Sequence, residues 1–150
     1  MKPTLWFDAE HVQAAAGVFL VTPDNRLILQ LRDDIPDIDN PGMITAFAGG
    51  AEPGEAPLQC ALRELEEETG LRPDPDALWF LDEFEKFDRR GIMTANVFFV
   101  LNGVDPASLR VTEGRPIILT LDEVATDPRP APFCRKLAAK LATIIRTQRS

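Results

Sequence analysis

The chain has 150 residues, 45% of them hydrophobic, which suffices for one domain with a sizeable core and leaves no room for a second domain of typical size. Its formal net charge of −8 argues against DNA or RNA polymers as partners, because their binding depends on Lys and Arg neutralising phosphates. The sequence shows neither the roughly 18-residue apolar run of a membrane helix nor the hydrophobic stretch of a signal peptide. We therefore expect residues 1–150 to form a single cytoplasmic domain without membrane contact.

Two strands joined in a hairpin are predicted after an N-terminal extension of residues 1–10. The strands are Ala14 to Leu20 and Arg26 to Leu31, with the polar turn TPDN between them. The Asp- and Pro-rich segment DDIPDIDNPG follows and is predicted to form a loop. Trp6 and Phe7 in the extension either cover the core or contact a second copy of the chain, so a homodimer is one of two interpretations.

A helix is predicted from Pro57 to Thr69, and its glutamates are the most informative feature of the sequence. At roughly 100° per residue, the spacings of three and four place Glu64, Glu67 and Glu68 on one face. Like charges at these spacings cost an isolated helix about 0.2–0.5 kcal/mol per pair, and only Arg63 supplies a positive charge within the helix. A hard divalent cation held by oxygen ligands would compensate this repulsion.

The ends of this helix also follow from the sequence. Pro57 suits the first helical turn, but Ala56 before it offers no capping side chain. We expect the carboxylate of Glu55 to compensate in part, because a negative charge near a helix N-terminus contributes about 0.3–1 kcal/mol. Gly70 is predicted to end the helix in a left-handed conformation.

Downstream, the strands Leu78 to Phe84 and Met93 to Leu101 are predicted as a hairpin, interrupted by the charged stretch EKFDRRG. A short strand follows from Pro116 to Leu119, and Leu121 begins a polar segment. The C-terminal helix is predicted over residues 132–147, with an apolar stripe for core packing. This order of elements fits the α/β class, with a mixed β-sheet sandwiched between α-helices.

The segment from Gly49 to Leu71, GGAEPGEAPLQCALRELEEETGL, resembles the Nudix box over its whole length. Its specified positions are a glycine, a glutamate after five further residues and, after seven more, the run RELEEETGL. The resemblance implies a Nudix hydrolase with the α/β/α Nudix fold. Such enzymes use Mg²⁺ or Mn²⁺ to cut a pyrophosphate-type bond in a nucleoside diphosphate linked to another moiety. The implied partner is therefore a small nucleotide-type molecule.

The resemblance also implies roles for individual residues. Glu64, Glu67 and Glu68 would bind the metal, and Arg63 would orient one of these glutamates through an ion pair. The backbone carbonyl of Ala48 would join the metal ligands. Ala48 stands where the family commonly has a glycine, so the backbone at this position must suit a residue with a Cβ.

The reaction needs a general base, and two choices stay open. In the family, the position of Glu64 is one common choice, and a carboxylate from a loop after the box is another. Glu113, which precedes Gly114 in a predicted loop, is our leading candidate for that carboxylate, with Glu123 second. A solvated surface glutamate is the simpler interpretation of both.

An arginine and several aromatic residues are candidates for substrate binding. Arg32 either projects from its strand end toward phosphate oxygens or forms an ion pair with Asp33 or Asp34. Aromatic rings that would stack on a base are those of Phe47, Trp79, Phe84 and Phe87.

Two other functions are compatible with the same fold. A non-catalytic sensor of a nucleotide or sugar diphosphate is the first, although such proteins usually lose box glutamates and this chain has them all. An isopentenyl diphosphate isomerase-like enzyme is the second, but it needs a histidine-rich metal site, and His11 is the single histidine here. The sequence alone does not name the substrate.

Overall fold

The computed structural model describes residues 12–36, 38, 40–88, 91–101 and 103–148, and within them the side chains of residues 12, 13, 86–88 and 91 are not described. The predicted N-terminal extension, with Trp6 and Phe7, lies outside the described residues. The side chain of Phe87 lies outside them as well.

Within the described residues, one sheet and its helices account for most of the chain. The strands are β1 Val12–Val21, β2 Leu27–Leu31, β3 Ile44–Thr45, β4 Phe47–Gly50, β5 Leu78–Asp88, β6 Gly91–Val100 and β7 Arg115–Leu119. The α-helices are α1 Pro57–Thr69, α2 Leu121–Thr126 and α3 Pro132–Gln148. Single 3₁₀ turns occur at Pro75–Ala77 and Pro106–Ser108.

The sheet is mixed, and β1 lies at its centre. Its order is β3-β2-β1-β6-β5, with β4 paired to β1 and β7 paired to β2. The β1–β6 pair is parallel and the other pairs are antiparallel. From Ala16 to Val21 every residue of β1 is buried, as expected for a strand that is covered on both faces.

Two hydrophobic cores, one on each face of the sheet, give three layers. Helix α1 contributes Cys60, Ala61 and Leu65 to the core on the first face. Helix α3 contributes Leu137 and Leu141, among others, to the core on the second face. The predicted sheet between helices is therefore confirmed, since each helix buries one apolar stripe against the sheet.

The structure differs from the predicted elements in the lengths of strands and in one helix. Strands β5 and β6 continue through most of the charged stretch EKFDRRG, because a hairpin arm is held by backbone pairing whatever its side chains. The polar segment after Leu121 is helix α2. Its signal was present in the sequence, because Thr120 and Glu123 form a reciprocal capping box. The short strands β3 and β4 were not predicted.

Both ends of α1 are clear in the structure. At its start, the side-chain carbonyl of Gln59 accepts a hydrogen bond from the Ala56 N–H at 3.1 Å. Glu55 lies next to this end and binds Arg63, as described below, and its contribution through the helix dipole stays a prediction. At its end, Gly70 has φ 79°, and its N–H donates to the carbonyl of Glu66, which confirms the predicted left-handed cap.

Candidate active site

A cavity of about 480 Å³ lies where α1, β4 and the start of α3 meet the sheet. One part of its lining is charged and the other part is apolar. The charged lining residues are Arg32, Glu64, Glu67, Glu68 and Glu113, and the larger apolar ones are Phe19, Phe84, Met93, Val97, Phe133 and Leu137. The tertiary structure thus gathers the three box glutamates, Glu113 and Arg32 at one site.

Arg63 is the centre of a hydrogen-bond network at the charged part of the cavity. Its Nε and Nη2 donate to the two carboxylate oxygens of Glu55 at 2.7 and 2.8 Å. Nη1 donates to Glu64 at 2.9 Å and to Glu67 at 3.2 Å, and Nη2 also reaches the carbonyl of Gly50 at 2.9 Å. The hydrogen bonds from Arg63, more than any other cause, lower the pKa of Glu55 to about 2. Arg63 therefore links the box helix α1 to Gly50 at the end of strand β4.

The carboxylate of Glu64 occupies the space beside Gly49 that a side chain would otherwise fill. A Cβ at position 49 would lie 2.1 Å from Cδ of Glu64. Burial raises the pKa of Glu64, and the hydrogen bond from Arg63 opposes that rise. The thiol of Cys60 in α1 donates a hydrogen bond to the carbonyl of Gly49 at 3.6 Å and so helps to hold the end of β4 against the helix. Only a glycine at position 49 permits this approach.

Glu68 is the most deeply placed of the three box glutamates. Its Oε2 is buried and has no hydrogen-bond partner among the described residues. Burial, followed by the charges of Glu64 and Glu113, raises the pKa of Glu68 to about 7, against the lowering effects of Arg32 and the Ala48 N–H. An unpaired buried carboxylate oxygen is costly, so this position favours a cationic partner.

Glu113 is held near Glu68 by the loop that precedes β7. The buried side chain of Gln30 donates to the carbonyl of Glu113 at 2.9 Å. Gly114 has φ 64°, and a Cβ there would lie 2.4 Å from the carbonyl oxygen of Leu31. The second candidate, Glu123, does not line the cavity, because its carboxylate caps α2.

Ala48 lies in β4 and also lines the cavity. Among the described non-glycine residues, positive φ occurs at Asn25 and Asn40, so the backbone at Ala48 is ordinary for a residue with a Cβ. Ala48 is paired with Gly17 of β1, and a Cβ on Gly17 would lie 3.2 Å from that of Ala48. The alanine is therefore accommodated by the glycine opposite it.

Of the aromatic candidates whose side chains are described, one lines the cavity and two do not. Phe47 is 1% exposed and packs in the core beneath α1, so its predicted stacking on substrate is corrected: its ring is not accessible from the cavity. Trp79 is exposed but does not line the cavity. Phe84 lines it and stacks on Phe133, with ring centroids 5.4 Å apart. Sequence reasoning missed Phe133, because only the docking of α3 brings it to the site.

Whether these residues fit a metal ion depends on their donor atoms. Among the described residues, no three His, Cys, Asp or Glu side chains are gathered in an arrangement that holds a metal as it stands. The hydrogen bonds of Arg63 engage oxygens of both Glu64 and Glu67. The donor set nevertheless fits Mg²⁺ or Mn²⁺ chemically, because it consists of hard oxygen atoms and includes the unpaired Oε2 of Glu68.

Replacement of Glu68 is expected to stabilise the protein in a pH-dependent manner. Because its pKa is about 7 in the folded protein against 4.5 for an unperturbed glutamate, stability should fall as pH rises from 4.5 to 7. Allowing for solvent screening, Glu68→Gln should raise the free energy of unfolding by about 1–2 kcal/mol at pH 8 and by little at pH 4. Urea denaturation in EDTA at both pH values measures this, with the exposed Glu66→Gln as control. Equal effects at the two pH values would contradict it.

A mixed sheet between helices, with arginine-bound glutamates beside a glycine strand at one cavity, defines an α/β/α protein with an acidic site. The sequence matches the NUDIX domain family over residues 11–137, and the chain belongs to this family. It is a Nudix hydrolase, a member of a family that hydrolyses pyrophosphate-type bonds. The helices of the described part of the chain include none with the length and apolarity that crossing a bilayer requires.

Solved structures share this fold at low sequence identity. A MutT protein from Methanosarcina mazei Go1 has a TM-score of 0.77 at 14% identity, covering 93% of this chain and 99% of its own. An Ap4A hydrolase from C. elegans, in a binary complex, has a TM-score of 0.71 at 17% identity, covering 90% of this chain and 98% of its own. A MutT Nudix hydrolase from Burkholderia pseudomallei has a TM-score of 0.70 at 18% identity, covering 86% of this chain and 97% of its own. No curated protein matches the sequence.

Proposed function

We propose that this Nudix hydrolase acts on a nucleotide or nucleotide derivative and cleaves its diphosphate bridge by attack of water at phosphorus. The observation that carries the proposal is the convergence of all three box glutamates and Glu113 on one cavity, with Arg63 hydrogen-bonded to Glu64 and Glu67. A small substrate is favoured over a nucleic-acid polymer, because the chain is acidic and the cavity is enclosed on several sides.

Glu64, Glu67 and Glu68, with the backbone carbonyl of Ala48, are the groups that would hold Mg²⁺ or Mn²⁺. When bound, the cation would supply positive charge for the phosphoryl oxygens and lower the pKa of a bound water. The protein itself keeps these carboxylates in place through Arg63, whose Nη1 bridges Glu64 and Glu67. Without a cation, the same carboxylates would repel an incoming diphosphate, so we propose that activity depends on divalent metal.

Glu113 is our preferred general base, with Glu64 as the alternative. The carboxylate of Glu113 is exposed, whereas that of Glu64 already accepts a hydrogen bond from Arg63. The backbone of Glu113 is held by Gln30, so its carboxylate can take a proton from water at a defined place. Arg32 lines the cavity, whereas Asp33 and Asp34 do not, which favours a role for Arg32 at the phosphates.

The decisive experiment is a phosphate-release screen with Mg²⁺ and with Mn²⁺ over several substrate classes. It would include nucleoside triphosphates, oxidised nucleotides, dinucleoside polyphosphates, ADP-ribose and nucleotide sugars. Glu67→Gln should lower turnover about 100-fold or more, since even outer-shell partners of metal ligands are worth about 10- to 100-fold. Glu66→Gln is the matched control, because Glu66 is on the opposite side of α1 and does not line the cavity.

The alternative function is a non-catalytic sensor of a nucleotide or sugar diphosphate. It would replace our proposal if no compound were hydrolysed with either metal while one of them still bound and raised the melting temperature. Turnover that persists in Glu67→Gln would contradict the assigned role of that glutamate without removing the hydrolase activity itself.

A further inference from the structure

Strand β2 carries a buried amide at a position where the strand pattern favours an apolar side chain. Gln30 is 1% exposed, and strand alternation places it on the same sheet face as Ile28, which packs in the core beneath α1. Burying an amide costs free energy unless its donors and its acceptor are used. The partners of the Gln30 amide therefore indicate what this residue does.

The two ends of the Gln30 amide bind different parts of the candidate site. Its Nε2 donates a hydrogen bond to the backbone carbonyl of Glu113 at 2.9 Å. Its Oε1 accepts a hydrogen bond from Nη1 of Arg32 at 3.4 Å, a distance that is long for such a bond. A carbonyl only accepts and a guanidinium only donates, so this orientation of the amide is the one that satisfies both partners. Gln30 thus joins the arginine assigned to the phosphates to the residue assigned as general base.

The segment that carries Glu113 lies just outside the sheet. The ladder between β2 and β7 ends where β7 begins, at Arg115. On the α1 side, the N–H of Thr112 donates to the carbonyl of Glu68 at 3.4 Å. The amide of Gln30 holds the same segment from the β2 side, beyond the end of the ladder. The position of this segment therefore depends on a side chain as well as on strand pairing.

We propose that Gln30 is a positioning residue, whose amide places Arg32 and Glu113 relative to each other. The proposal rests on the proposed function, because it assigns Arg32 to the substrate phosphates and Glu113 to the proton of the attacking water. One buried group then sets the positions of both. A diphosphate held by Arg32 is thereby kept in register with the base that acts on it.

Double-mutant cycles test whether Gln30 acts through these two residues. Gln30→Met removes both hydrogen bonds and leaves a side chain of similar size. Calorimetry with Mg²⁺ would measure the Kd of methylenediphosphonate, a diphosphate with a non-hydrolysable bridge, in Gln30→Met, in Arg32→Met and in their double variant. The kcat for the substrate found in the phosphate-release screen would be measured in Gln30→Met, in Glu113→Gln and in their double variant.

Thr22→Val is the matched control for the loss of a buried polar group. Thr22 is also 1% exposed, but its hydroxyl accepts a hydrogen bond from the N–H of Arg26 in the turn between β1 and β2, and it does not line the cavity. The control variant should lose stability and keep the Kd and kcat of the wild type.

Gln30→Met should raise the Kd of methylenediphosphonate about 2- to 12-fold, the equivalent of one hydrogen bond. It should lower kcat about 10-fold or more, because a small misplacement of a reacting group is costly. Added to Arg32→Met, it should not raise the Kd further, and added to Glu113→Gln, it should not lower kcat further. A merely structural role would leave the effects independent, so that they multiply.

The proposal is overturned if the effects multiply in either cycle, or if Gln30→Met behaves like the Thr22→Val control. Should Gln30→Met not fold, Gln30→Glu decides, because an ionised carboxylate keeps an acceptor for Arg32 but has no donor for the Glu113 carbonyl, so kcat should fall without a rise in Kd. If the wild type binds methylenediphosphonate but hydrolyses no compound, the proposed function fails, and the binding cycle still decides whether Gln30 acts through Arg32.

Discussion

Gly49→Ala is expected to lower kcat by about 100-fold or more while leaving the melting temperature nearly unchanged. The added Cβ would lie 2.1 Å from Cδ of Glu64, so the carboxylate must move away from its hydrogen bond with Arg63. Because the clash involves the end of a flexible side chain, the backbone need not shift. A misplacement of about 1 Å at a reacting group is enough for such a loss. Steady-state kinetics with thermal melting measures both quantities.

The control for this prediction is Gly103→Ala. It adds the same methyl group in open space, since nothing lies within 4 Å of a Cβ at that position. Gly103 does not line the cavity, so its variant should retain wild-type kinetics. Full activity in Gly49→Ala would show that the position of the Glu64 carboxylate seen here is not needed for catalysis.

Gly114→Ala is expected to lower the free energy of unfolding by about 2–5 kcal/mol, the largest stability effect that we predict for a single added methyl group. The residue has φ 64°, a conformation that costs a residue with a Cβ about 1–2 kcal/mol. Its Cβ would also lie 2.4 Å from the backbone oxygen of Leu31, and relieving such overpacking typically costs about 1–3 kcal/mol. Urea denaturation followed by circular dichroism measures the loss.

Gly54→Ala separates the two contributions to this loss. Gly54 has φ 76°, but nothing lies within 4 Å of a Cβ there, so its variant should show the conformational cost alone. Equal losses in the two variants would mean that the contact with Leu31 does not matter.

Gly114→Ala should also lower kcat, because it displaces Glu113. If Glu113→Gln keeps full activity, Glu113 is not the general base and Glu64 takes that role.

Local patterns in the sequence predicted the box helix, its end and its ion pair correctly. The spacing of the glutamates in α1 places them on one helix face because the period of a helix is a local property of the backbone. Gly70 ends that helix for an equally local reason, since glycine adopts positive φ without a steric penalty. The predicted ion pair of Arg63 with a box glutamate is also present, because the two residues are neighbours in the chain.

Predictions that depended on contacts between distant parts of the chain were wrong or incomplete. Phe47 stands beside the box in the sequence, yet strand alternation turns its ring into the core beneath α1. Phe133 is far from the box in the sequence, yet the docking of α3 brings it onto Phe84. Glu113 was one of two loop carboxylates with similar surroundings in the sequence, and the anchoring of its loop on β2 distinguishes it from Glu123.

The sequence by itself therefore determined the family, the box helix and the face that its three glutamates share, because these depend on residue types at fixed local spacings. Only the tertiary structure decided which further residues line the same cavity: Glu113 rather than Glu123, and Phe133 beside Phe84. Strand order and register bring these residues together. Register reflects the packing of the whole sheet against its two helical layers, and no short segment contains that information.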